Sequence, residues 1–133
     1  MTSELYWLVL SIFLTSILWV PYILNRVFEQ GIFKALWDPD GETSTMVPWA
    51  KRLMSAHVNA VENLVVFAPL VIIAHVLGIT NEMTELAAMV YFFSRLAHAV
   101  LFTIRTPVLR IISFLGGFFA QITMVITLLQ SLS

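Results

Sequence analysis

The sequence predicts an all-α integral membrane protein, a four-helix transmembrane bundle of up-down-up-down topology. Three observations carry that prediction. Of 133 residues, 59% are hydrophobic and only 11% are charged, which leaves too little polar surface to wrap a water-soluble core. The apolar residues gather into runs of about 20, the length an α-helix needs to cross a bilayer. Tight turns separate the later runs, so consecutive helices return antiparallel.

The first span is expected over 5–24, where Leu5 to Leu24 is continuously apolar and Pro21 sits near the end, where a kink does least harm. It lacks the basic n-region and small-residue cleavage site of a cleaved leader, so it reads as a span. Asn25 to about Lys51 is the longest connection. It carries Arg26, Glu29, Lys34, Asp38, Asp40, Glu42 and Lys51 with the turn Asp38-Pro39-Asp40-Gly41, and it is expected outside the hydrocarbon. The second span, 50–77, is polar at its start and almost wholly apolar from Leu64. Gly78 and Asn81 mark a turn. The third span, 83–104, and the fourth, 107–129, are joined at Thr106-Pro107, whose proline suits a helix first turn. Trp7, Trp19, Trp37 and Trp49 lie near the boundaries, as interfacial anchors do.

Composition also excludes functions. With no cysteine, the chain has no disulfide, thiolate metal site or thiol nucleophile of its own, so any sulfur chemistry must come from a ligand. A net charge of −1 and the lack of a Lys/Arg-rich run argue against a nucleic-acid partner. His57, His75 and His98 do not have metal-ligand spacing, and Asp38, Asp40 and Glu42 lack the full calcium-loop pattern, so no metal site is expected. His75 reads as an interfacial histidine, and His57 as facing a neighbouring helix or a headgroup. Every Lys and Arg outside the spans lies in or beside the first or third loop, which by the positive-inside rule puts both termini outside the cytoplasm. No eukaryotic retention signal is recognisable, which points to a bacterial inner membrane.

Within the spans the polar residues fall on faces. Arg52, Ser55, Asn59 and Glu62 form one stripe of the second helix, and Arg95, His98, Phe102 and Arg105 form one stripe of the third, extended a turn by Tyr91. Glu62 and Arg95 each lie about 15 Å deeper than Arg52 and Arg105. A charge at that depth costs a few kcal/mol unless paired or facing a wet cavity, so both are candidate functional residues. The matched depth predicts a buried Glu62–Arg95 ion pair, hydrogen-bonded by Asn59 and His98, below a mouth where Arg52, Arg105 and Arg110, with Arg26, converge. Such a cluster suits a small carboxylate-bearing anion. The competing reading is an interhelical clamp. Gly116 and Gly117 read as a close-packing site, and Gln121 as interhelical glue.

The stretch Arg52-Leu-Met-Ser-Ala-His-Val-Asn-Ala-Val-Glu-Asn63, followed by Phe67, resembles the signature of the membrane-associated proteins in eicosanoid and glutathione metabolism, the MAPEG family. Ser94-Arg-Leu-Ala-His98, Pro107-Val-Leu-Arg110 and Gly116-Gly117 resemble its later signatures in the same order. The resemblance implies one MAPEG-like membrane domain over 1–133, assembled as a homotrimer with glutathione as the bound thiol between subunits. Carried over, Asn59 and Glu62 match the helix-two ligands of glutathione, Glu62 receiving its amino group. Arg95 and His98 match the helix-three polar pair, Arg52 matches a position that is basic in the family, and Arg110 matches the arginine that steadies the thiolate and is the catalytic candidate; Arg105, from the cationic mouth, completes the expected binding residues. Ser55 and Val58 stand where prostaglandin-forming members have arginines, and Phe102 stands where many have tyrosine.

Three functions follow as expectations. The first is a glutathione-dependent enzyme acting on a lipophilic electrophile or lipid hydroperoxide. The second is a non-catalytic relative that binds a lipid or partner through the same cavity. The third is a channel or transporter subunit, disfavoured because one acid and one base make a poor ion path.

Overall fold

The protein is described by a computed structural model covering residues 1–41 and 45–133. Among these residues the chain forms α1 (Ser3–Ile17), α2 (Trp19–Gln30), α3 (Ile32–Leu36), α4 (Pro48–Val76), α5 (Glu82–Thr103) and α6 (Pro107–Leu132). Four stretches are long and apolar enough to cross a membrane: Ser3–Gln30, Pro48–Val76, Glu82–Thr103 and Pro107–Leu132.

The first span is longer than its apolar run. Asn25 to Gln30 continue as helix instead of opening the loop, because a polar residue does not break a helix. What ends α2 is Gly31, at φ +82, a conformation that L side chains rarely adopt. The span is interrupted at Leu18, three residues before Pro21. Proline accounts for the later starts: Pro48 and Pro107 open α4 and α6, where a missing N–H costs nothing. At α5 a capping box does the same work, with Asn81 Oδ1 accepting from the Thr84 N–H and Thr84 Oγ1 from the Asn81 N–H. Asp38-Pro39-Asp40-Gly41 closes on a Gly41 N–H to Asp38 carbonyl bond; Glu42 lies outside the described residues.

Side-chain contacts fix the topology. Ser3 donates to Glu85 at 2.7 Å and Thr84 to Glu4 at 2.5 Å, so α1 and α5 begin at the same end. Arg52, at the start of α4, donates to the carbonyl of Thr103, at the end of α5, at 2.8 Å. Gln121 of α6 donates to the Asn63 carbonyl of α4 at 3.1 Å, the interhelical role expected of it. The spans therefore run up-down-up-down. The most extensive interface is between α5 and α6, and α5 also packs on α1 and α4.

The buried face of α4 is Ala50, Leu53, Ala56, Ala60, Phe67, Val71 and Ala74, the spacing of a helix with one stripe inward. Phe67 stacks on Tyr91 with centroids 3.7 Å apart, in a core that includes Leu8, Val71, Ala88 and Met124. A second cluster, Leu14, Leu18, Leu53, Ala60 and Ala99, fills the other half. His57 does face a neighbouring helix, its Nδ1 lying 2.8 Å from the Tyr22 hydroxyl of α2.

Candidate functional site

Two turns of α5 place Tyr91, Arg95 and His98 on one buried stripe, each at most 6% exposed. Buried polar atoms nearly always find a partner. Here one atom on each residue does not: Tyr91 Oη, Arg95 Nε and His98 Nε2 are buried without a hydrogen bond. Their clustering in one column marks it as different from the rest of the interior.

Arg95 is the centre of the column. One guanidinium nitrogen donates to Asn59 Oδ1 at 2.9 Å and the other to the Phe114 carbonyl at 3.1 Å. The rings of Tyr91 and Phe114 lie 5.8 and 5.2 Å from its central carbon. These partners are neutral. Among the described residues no carboxylate pairs with Arg95, whose charge inside a membrane span costs roughly 3 kcal/mol or more when uncompensated.

The glycines of α6 make the room. A Cβ added at Gly117 would meet the Arg95 guanidinium, with Nη2 at 2.6 Å, and one at Gly116 would meet Ser94 Oγ at 2.6 Å. The glycine pair thus permits close helix packing, as its sequence suggested, and specifically lets an arginine lie against the α6 backbone. His98 turns its Nδ1 to the Arg110 carbonyl at 2.9 Å and packs against Phe102 and Phe114. On the α4 side, Asn63 donates to the Asn59 carbonyl at 2.9 Å, joining Gln121, Asn63, Asn59 and Arg95 in one polar chain across three helices.

The expected Glu62–Arg95 ion pair is absent. Depth was matched correctly, since α4 meets Arg95 at Asn59, about 4.5 Å along the axis from Glu62. The error lies in rotation. Two residues beyond the buried Ala60, Glu62 is turned about 200° around α4 and stands exposed, its carboxylate with no hydrogen bond or ion pair among the described residues. Asn59 takes the position facing α5 that the acid was expected to hold.

The expected cationic mouth is only partly assembled. Arg26 is buried and bound to Asp38 at 2.6 Å, so its charge is neutralised within the first loop region. Arg52 is half-buried and caps the carbonyl end of α5 through Thr103, where a cation also meets the favourable end of the helix dipole. Arg110 is half-buried, its guanidinium 4.5 Å from the Phe102 ring centre. Arg105 is exposed beyond the end of α5.

The column therefore gathers Asn59, Arg95 and His98 with the backbone of Arg110, and leaves Glu62 and Arg105 outside. Residue patterns alone missed the Phe114 carbonyl, because a backbone acceptor carries no side-chain signal. Gly117, three residues later on the same helix, was the available hint.

No curated protein sequence matches the chain. Residues 5–130, nearly its whole length, match the family model of the MAPEG family. With four membrane-spanning helices and this match, the chain is an integral multi-pass membrane protein belonging to the MAPEG family, whose members include glutathione-dependent enzymes.

Proposed function

We propose that the polar column and the flank of α4 beside it bind glutathione, and that the chain directs its thiolate at a lipophilic electrophile or lipid hydroperoxide. Arg95 carries this reading: a guanidinium 3% exposed, with neutral partners only and an unsatisfied Nε, is a cation in want of an anion. A glutathione carboxylate supplies one. The free Nε2 of His98 and hydroxyl of Tyr91 offer further contacts along the same face.

Glu62 takes the amino group in this reading. Its exposure on α4 fits a site completed by a neighbouring copy, because a lone carboxylate facing lipid is costly. A homotrimer would cover that flank. Arg52 adds positive charge at the mouth, while Arg105, past the end of α5 beside Ile104, is left out of the thiol site.

The protein's chemical task is small. Arg110 beside the sulfur favours the thiolate over the thiol, and the proton leaves to water. The sulfur lone pair forms the S–C bond as the leaving group departs with its electron pair. Holding both reactants at the membrane boundary supplies much of the acceleration. Phe102 under Arg110 offers no hydroxyl, so the sulfur is steadied by the guanidinium alone.

Conjugate formation between glutathione and an aryl halide, followed in detergent, tests the reading. Arg110→Ala should slow turnover by roughly 10²-fold, the cost of losing a preorganised charge at a reacting centre, with glutathione saturation retained. Unchanged turnover would remove Arg110 from the chemistry. Binding without turnover by the wild type would favour the non-catalytic reading, in which the column binds without reaction.

A further inference from the structure

On the opposite flank of α5 from the column lies an apolar groove of about 290 Å³. Its floor is Leu14, Leu18, Leu53 and Ala99, all buried, and its α5 rim includes Val100 and Ile104, both more than half exposed. The groove opens where α1 gives way to α2: Leu18, between the two helices, and Pro21 both line it.

The rim follows the axis of α5 from Leu96 to Ile104, about 12 Å. That shape suits one extended hydrocarbon chain, and the volume is at the small end for ligand cavities. The residue after Ile104 is Arg105, exposed, its guanidinium with no hydrogen bond or ion pair among the described residues.

Arg105 stands in a strained conformation. The Thr106 N–H bonds the Leu101 carbonyl and the Arg105 N–H bonds the Phe102 carbonyl, a closing motif whose left-handed position is normally glycine. Arg105 occupies that position at φ 65 and is the one non-glycine residue with positive φ among the described residues. Strain held at a single charged residue, next in the chain to the last residue of the rim, motivates a functional reading.

We propose that this groove binds an anionic phospholipid of the surrounding leaflet, with one acyl chain on the floor and the phosphate at Arg105. The site is separate from the column. Leu96, Ala99, Val100 and Thr103 face the groove, whereas Tyr91, Arg95 and His98 face α4 and α6, roughly 120° around α5. A lipid seated there does not meet the reacting thiol, so it acts as a bound structural lipid.

Native mass spectrometry of the purified assembly tests this without any thiol. The protein is mixed with phosphatidylglycerol or with phosphatidylcholine of the same chains. Phosphatidylglycerol should be retained about fivefold better, the preference expected of one cation at a membrane surface. Arg105→Gly, which relieves the strain while removing the charge, should retain both lipids equally. Val100→Trp, placed on the exposed rim, should lower retention of both lipids at unchanged unfolding temperature. Equal retention by the wild type, a preference that survives Arg105→Gly, or undiminished retention in Val100→Trp would each overturn the proposal. So would a wild-type assembly that retains no lipid, because a neighbouring copy then covers the groove.

Discussion

Two arginines of this chain are buried to a similar degree in opposite circumstances. Arg26 is 8% exposed and Arg95 is 3% exposed, and each leaves its Nε without a partner. Arg26 meets a carboxylate, Asp38, at 2.6 Å, whereas Arg95 meets an amide oxygen and a backbone carbonyl. The first is a closed pair that ties α2 to the loop after α3. The second is compensated only in part, by neutral dipoles and two aromatic rings. Burial alone therefore does not separate the two; the absence of a counter-ion does, and it makes Arg95 the candidate.

Substitution should separate the two. The largest effect is expected from Arg95→Gln, which keeps polar contacts in reach but removes the charge. Glutathione binding should weaken by roughly 2–3 kcal/mol, or about 30- to 160-fold, the worth of a charge-assisted contact. Arg26→Met should leave binding unchanged and lower stability by about 2 kcal/mol, between the values for exposed and fully buried pairs, because Asp38 is partly open to solvent. Thermal unfolding and equilibrium dialysis on the same samples would show whether the effects divide in this way.

Smaller changes sharpen the comparison. Gly117→Ala puts a methyl group 2.6 Å from Arg95 Nη2, and a guanidinium held by two hydrogen bonds must move. Binding should fall several-fold, at a cost of about 1 kcal/mol, as for mild overpacking. Gly116→Ala meets only the Ser94 hydroxyl, which rotates away, so binding should change by less than about 0.5 kcal/mol. Equal effects at the two glycines, read as dissociation constants, would mean that the close α5–α6 approach matters and the arginine does not.

The fold was largely legible because hydrophobic runs and turn residues act locally. Pro107, read as a helix first turn, opens α6, and Asn81, read as a turn residue, caps α5, whereas Pro21 and Pro69 lie within helices. The first helix runs on to Gln30, beyond the apolar run, because hydropathy reports where lipid is tolerated, whereas a helix ends where its backbone conformation changes, here at Gly31. The column was legible in depth and not in rotation. Spacing put Asn59 and Glu62 on one stripe, but a stripe is wide, and only packing decides which member faces α5. The small residues Ala56 and Ala60 turn that face inward and leave Glu62 on the flank. Arg26 shows the same limit. Its pairing with Asp38 depends on a chain reversal across α3 that no local pattern records.

Arg95 is the cation whose anion glutathione is proposed to supply. Equilibrium binding of glutathione to the purified assembly, comparing wild type with Arg95→Gln and with Arg26→Met as a control for a buried arginine of similar exposure, tests it most directly. Saturable wild-type binding that is kept by Arg26→Met and weakened about 30-fold or more in Arg95→Gln, in samples of equal assembly state, is the predicted result. Absence of binding to the wild type, or equal binding by Arg95→Gln, would contradict the account and leave the column as an interhelical clamp.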